Sequence, residues 1–102
     1  MKNIECNIIE SAESDSDIEE ILDAAYLMTI QGNFERAFSL YDRILEKEPK
    51  NVRAVNSKAV ALQQAGKNDE ALVWYDKALK IDPRDANALY NKACTKALQT
   101  SL

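Results

Sequence analysis

The feature that most restricts the fold of this chain is its period. The segment starting at Gly32, GNFERAFSLYDRILEKEPKNV, and the segment starting at Gly66, GKNDEALVWYDKALKIDPRDA, carry the same residue types at matching offsets. Gly32 and Gly66, Ala37 and Ala71, Tyr41 and Tyr75, Leu45 and Leu79, and Pro49 and Pro83 are each 34 residues apart. Ala25 with Ala59 and Asp42 with Asp76 share that spacing. A unit of this length, repeated, is a small supersecondary block whose apolar sides are covered by its neighbours.

Within each unit the apolar residues fall at helical spacing. Ile18, Ile21, Leu22, Ala25, Leu27 and Met28 form one stripe, and Phe34, Ala37, Phe38, Tyr41, Ile44 and Leu45 form the next. Val52, Val55, Ala59 and Leu62 precede Gly66, and Ala71, Leu72, Tyr75, Ala78 and Leu79 precede Pro83. Each Gly stands where a helix must stop, because it enters the left-handed region cheaply. Asn33, Asn51, Asn68 and Asp85 are candidate caps for the helices that follow, and Ser16-Asp17-Ile18-Glu19 fits a capping box. The spacing predicts helices over 17–31, 34–48, 52–65, 68–81 and 86–99. Short connections make them antiparallel hairpins. The fold class is therefore all-α, a right-handed α-solenoid of two full units, 18–51 and 52–85, followed by one C-terminal helix, 86–99. Ala25 against Ala37, and Ala59 against Ala71, let paired helices approach closely.

Composition narrows the function. The 102 residues contain no His, which removes the commonest general base and the usual triads and zinc sites. Cys6 and Cys94 form no CxxC pair and read as reduced thiols. Gly32 and Gly66 stand alone, so no phosphate-cradling loop is present. The net charge of −4 is uneven: residues 1–20 hold Lys2 against seven acidic residues, and the remainder is mildly basic. That surplus makes no case for nucleic acid. No apolar run reaches membrane-spanning length, and the first residues lack a signal peptide's apolar core, so the expected location is cytoplasmic. The chain is expected to be no enzyme and to carry no cofactor or metal. Residues 1–15 form an acidic leader and 16–102 the helical domain. Glu13-Ser-Asp15-Ser-Asp17 lacks the turn glycine and closing Glu of a calcium loop and reads as solvated. Ile4, Ile8 and Ile9 form a small apolar cluster in the leader, which is expected either to be flexible or to form a short helix covering the exposed face of the first hairpin. Ser14 and Ser16 have the acidic context of a kinase target, and Thr100-Ser101-Leu102 has the form of a PDZ ligand.

The Gly turn, the small-residue slots, the Tyr of the second helix and the closing Pro, all in step at this period, resemble the tetratricopeptide repeat family over residues 18–99. The family's early aromatic in the first helix is replaced here by Ile21, Val55 and Leu89, while Trp74 lies in a second helix. The last helix repeats Ala54, Lys58 and Ala59 as Ala88, Lys92 and Ala93 but has Lys96 where earlier units place Met28 and Leu62. It reads as a solubilising cap, with a truncated chain or a dimer supplying the missing helix as the alternative.

The resemblance implies a protein-protein interaction module, an adaptor or assembly factor, whose first helices line a concave groove for a partner peptide or helix. The inward residues are then Glu19, Leu22, Asp23, Tyr26 and Ile30, with Arg53, Asn56, Ser57, Val60 and Gln64, and with Asn87, Tyr90, Asn91 and Cys94. Tyr26, Arg53, Asn56, Ser57, Tyr90 and Asn91 are the expected contacts: the Asn side chains for backbone amides, the Tyr rings for flat area, Arg53 for an anion. Leu22, Val60 and Cys94 are more often packing residues. The subclass that clamps a chaperone's terminal carboxylate would use the slots of Leu22, Tyr26, Ser57, Asn87 and Asn91, and no basic residue occupies them. The partner is expected to be a protein or peptide rather than nucleic acid or membrane, and the chain a monomer or weak homo-oligomer. The alternative is a structural module that self-associates through the last helix or the leader.

Overall fold

Each helix pair turns on a glycine that no other residue could replace without strain. Gly32 and Gly66 have φ of 80° and 86°, the left-handed region that a side chain disfavours. The same two bonds close both turns. Gly32 N–H donates to the Thr29 carbonyl at 3.1 Å and Asn33 N–H to the Met28 carbonyl at 2.8 Å. Gly66 N–H donates to Gln63 at 3.0 Å and Lys67 N–H to Leu62 at 2.8 Å. This is the Schellman arrangement, which satisfies carbonyls that the helix end leaves free.

The computed structural model describes the backbone of residues 15–100 and the side chains of 17–99. It contains helices α1 (Asp15–Ile30), α2 (Phe34–Lys47), α3 (Val52–Gln64), α4 (Asn68–Ile81) and α5 (Ala86–Thr100). All five expected helices are present, displaced by at most two residues at any end. The leader, including Ile4, Cys6, Ile8, Ile9 and Ser14, and the side chains of Thr100-Ser101-Leu102 lie outside the described residues.

Two of the expected caps form. Asn51 Oδ1 accepts from Ala54 N–H at 3.1 Å while its Nδ2 donates to Glu48 at 2.8 Å. Asp85 Oδ1 accepts from Asn87 N–H at 3.2 Å. Asn33 stands at the N-cap of α2 without a side-chain bond, and Asn68 is the first residue of α4, whose N-cap is Lys67. Three residues separate the helices at each Gly turn, and the backbone bonds of the turn set these starts. Ser16 lies inside α1, which already begins at Asp15, so the capping-box reading does not hold.

The helices pack in sequence, each against the next. Ala25, Ala37, Ala59 and Ala71 are fully buried, and close packing leaves little room for a larger side chain there. Tyr41 and Ile44 of α2 share a core with Ile18 and Leu22 of α1 and with Ala54 and Ala61 of α3, so the first hairpin and the next are continuous. Val55, Ala78 and Ala88 repeat the pattern one step on. Leu27, expected in the apolar stripe, is about half exposed. The core expectation is corrected there: Leu27 lies on the first described helix and faces outward, and among the described residues no helix precedes it.

Curvature follows from which helices touch across units. Among the described residues the backbones of α1 and α3, and of α3 and α5, approach closely, while no Cα atoms of α2 and α4 come within 8 Å of each other. The first helices therefore crowd the inner side of the array and the second helices fan apart on the outer side.

Two stability changes test this packing. Ala71→Leu or Ala25→Leu should overpack the hairpin and lower stability by about 1–3 kcal/mol in urea denaturation. Gly66→Ala has open space around the added methyl, so its cost should be conformational alone, about 1–2 kcal/mol. A neutral Gly66→Ala result would show that the turn relaxes out of the left-handed region.

Candidate functional site

On the inner side α1 and α3 are linked by position-matched residues. Glu19 and Arg53 occupy the same place in successive first helices, 34 residues apart, and their side chains meet at 2.7 Å. The two side chains remain 56% and 62% exposed, so solvent screens the pair and it stabilises by less than about 1 kcal/mol. Arg53 is thus pre-oriented across the groove yet cheaply available to a competing carboxylate.

One turn further along, Tyr26, Thr29, Ile30, Tyr41, Ser57, Val60 and Gln64 enclose a cavity of about 140 Å³. This is below the size of most small-molecule pockets, ~300–1,000 Å³, and suits one apolar side chain of a longer ligand. Tyr26 and Ile30, 63% and 61% exposed, form its open edge. Its wall includes Tyr41, which reaches through from α2. The Tyr41 ring is buried, and burial pushes its hydroxyl pKa up, partly offset by hydrogen bonds with Thr29 and Ser57. Thr29 Oγ1 in turn donates to the Ala25 carbonyl at 2.9 Å.

The next unit has the same layout with different partners. Tyr75 Oη donates to Gln63 Oε1 at 3.0 Å, and Gln63 holds the repeat position of Thr29. Thr95 Oγ1 lies 2.9 Å from that Gln63 oxygen and 2.8 Å from the Asn91 carbonyl. With a single proton it donates to one of the two at a time. Tyr75 is fully buried, and desolvation pushes its pKa up to about 12 against the Thr95 hydrogen bond.

The six expected contacts are not equivalent in the fold. Tyr26, Arg53 and Tyr90 stand open, and Tyr90 is 70% exposed. A hydrogen bond with Cys94 raises its hydroxyl pKa above the ordinary phenol value. Ser57 and Asn91 are half-buried; Ser57 hydrogen-bonds with Tyr41, while Asn91 accepts from Thr95 Oγ1 through its backbone carbonyl only. Asn56 is 8% exposed, donates Nδ2 to the Asp85 carboxylate, and leaves Oδ1 without a partner. It therefore fastens α3 to the start of α5. Leu22 belongs to the core.

Sequence reasoning did not anticipate Thr29 and Tyr41 in the cavity wall. Tyr41 reads as a core residue of α2, and its reach between α1 and α3 depends on the interhelix gap. The shared polarity of Thr29 and Gln63 at one repeat position was the available signal. Among the described residues no group of three or more Cys, Asp or Glu is placed to hold a metal ion, and no helix is long and apolar enough to cross a membrane.

Comparison with known proteins agrees with this geometry. The family model described as Tetratricopeptide repeat matches residues 28–96, from the end of α1 through most of α5. No curated protein matches the chain.

The buried tyrosine gives a pH prediction. Its folded pKa lies above the unfolded value near 10, so its stabilising contribution is complete below pH 10 and is lost as pH rises toward 12. The loss should be about 3 kcal/mol over that window, and Tyr75→Phe should remove this component from the alkaline denaturation curve. An identical alkaline slope in both proteins would count against the buried hydroxyl.

Proposed function

The chain belongs to the tetratricopeptide repeat family, and on that premise we propose that its inner face binds a segment of a partner protein, with an adaptor or assembly role. Repeats of this family generally mediate protein-protein interaction and are typically non-catalytic. The observation that carries the proposal is the open row on the first helices. Tyr26 and Ile30 flank a cavity sized for one side chain, Arg53 is held across the groove by a weak exposed pair, and Tyr90 extends the row onto α5.

The ligand chemistry follows from these groups. An extended peptide or helix places one aliphatic residue in the Tyr26–Ile30–Val60 cavity and a carboxylate on Arg53. Tyr26 and Tyr90 add flat apolar area with little rotamer freedom to lose. Asn91 and Ser57 serve the ligand's backbone, whereas Asn56 acts through the placement of α5. A groove this short reads few ligand residues, so binding is weak or assisted by avidity. The absence of basic residues from the clamp slots argues against a chaperone's terminal carboxylate as ligand. We place the protein in the cytoplasm and assign it no nucleic-acid partner.

A second reading has its own observation. Leu89 is 50% exposed although the matching Val55 is 2% exposed, and Leu98 on the same helix is 53% exposed. A second copy packing on α5 would cover them, which supports weak self-association. Sedimentation at rising concentration separates the two: a constant monomer mass removes the self-association reading.

Arg53→Glu and Tyr90→Ala should each reduce capture of groove-bound partners by at least about tenfold while leaving the helical circular dichroism unchanged. Undiminished capture by both would refute the groove. A peptide ending in Glu-Glu-Val-Asp should show no heat of binding in calorimetry at micromolar concentrations.

A further inference from the structure

The outer side of the array carries a feature that the groove does not use. Because α2 and α4 fan apart, a cleft of about 310 Å³ opens between them, lined by Leu45, Pro49, Val55, Trp74, Lys77, Lys80 and Ile81. Its lining is apolar except for two lysines. The Lys77 ammonium lies 4.0 Å from the centre of the Trp74 ring, and Lys58 lies 4.2 Å from it. The other lysines near this face are engaged with carboxylates: Lys58 with Asp42 and Lys92 with Asp76, each at 2.6 Å. Among the described residues Lys77 and Lys80 have no carboxylate partner. An apolar cleft edged by two cations without carboxylate partners fits a segment that alternates aliphatic and acidic residues.

The chain contains such a segment. Residues 4–13, IECNIIESAE, hold Ile4, Ile8 and Ile9 together with Glu5, Glu10 and Glu13, and no basic residue. These residues precede Asp15, the start of α1, and lie outside the described residues. Where α1 starts is decisive. Ile18 shares a core with Ile44, and Leu45 packs on that core while also lining the cleft. The leader thus enters at the same end of the array, about one helix spacing of ~10 Å away. Fourteen residues extend up to ~45 Å, several times that gap. A tether of this length holds the segment at an effective concentration of about millimolar, so even a weak contact is occupied. The rival cavity beside Met28, Arg36, Leu40 and Arg43 is also basic, but Met28 and Arg36 sit at the opposite end of α1, next to the Gly32 turn.

We infer that the α2–α4 cleft is a docking site for an acidic, isoleucine-bearing segment, and that its occupant is the leader of this same chain. The segment's isoleucines match the apolar floor of Trp74, Leu45 and Ile81 in character, and its glutamates match Lys77 and Lys80 in charge. The contact is independent of the inner groove, and it places the cleft under control of whatever changes the leader's charge or displaces it.

Trp74 is the chain's sole tryptophan and lines the cleft, so its indole signal is a single, assigned reporter there. A nitroxide on Cys6, in a full-length Cys94→Ser chain, should broaden the Trp74 indole N–H resonance several-fold. Ile8→Glu together with Ile9→Glu should abolish the broadening and raise acrylamide quenching of Trp74 about twofold, since it removes apolar cover from a half-buried ring. Lys80→Glu, at an exposed site, should do the same with circular dichroism unchanged. Three results overturn the proposal. One is an indole resonance untouched by the label. Another is broadening confined to residues 36–43. The third is broadening that persists when spin-labelled chains are mixed with isotope-labelled, unlabelled-cysteine chains, which would mean that a second copy fills the cleft.

Discussion

The structure depends on close contact between small residues at the centre of each hairpin. Ala25 against α2 and Ala59 against α4 bring backbones together at a distance that a larger side chain would prevent. That approach orients Tyr41 and Tyr75 so that their rings pass between one unit and the next. Each tyrosine is fully buried, and each hydroxyl finds its partners on the first helices. The hairpin alone could not enclose these rings. Enclosure requires the next helix, which is why the units behave as one stacked core.

Polar links reinforce the same stacking between units. The Asp42–Lys58 and Asp76–Lys92 pairs join each second helix to the first helix that follows, at the same 2.6 Å and one repeat apart. Lys58 also stands over Trp74, so a single side chain ties α2, α3 and α4 together. Asn56 extends the connection to Asp85 and α5. These contacts are individually modest, but they act on the spacing between helices, and that spacing controls both surfaces of functional interest. Crowding of the first helices makes the inner groove, and fanning of the second helices opens the outer cleft.

Much of the candidate groove was readable before any coordinates. Tyr26, Arg53 and Tyr90 are open because the helical period and the repeat register together specify which face looks inward. Other assignments depended on neighbours. Asn56 has the same helical position as Tyr90, yet one is buried and the other open. The difference is that α5 follows Asn56 and supplies Asp85, whereas Tyr90 is on the last described helix. Arg53 looked like a free cation, but Glu19 partly neutralises it. That pair was visible as a 34-residue spacing of opposite charges, although spacing alone does not show that two successive first helices come into contact.

The sequence by itself determined the unit: where helices stop, at glycines that accept positive φ; where they turn back, at Pro49 and Pro83; and which positions must be alanine. Tertiary structure decided what each repeat position experiences. Leu27, Ala61 and Thr95 are equivalent in the period, yet Leu27 is half exposed while Ala61 and Thr95 are fully buried, because those two have a preceding unit to pack on. The equivalent pair Val55 and Leu89 shows the reverse, Val55 buried and Leu89 half exposed, since Leu89 has no described helix after it. Local chemistry repeats with the sequence, but burial is a property of the stack, and a position's surroundings change at the ends of an array even when its residue type does not.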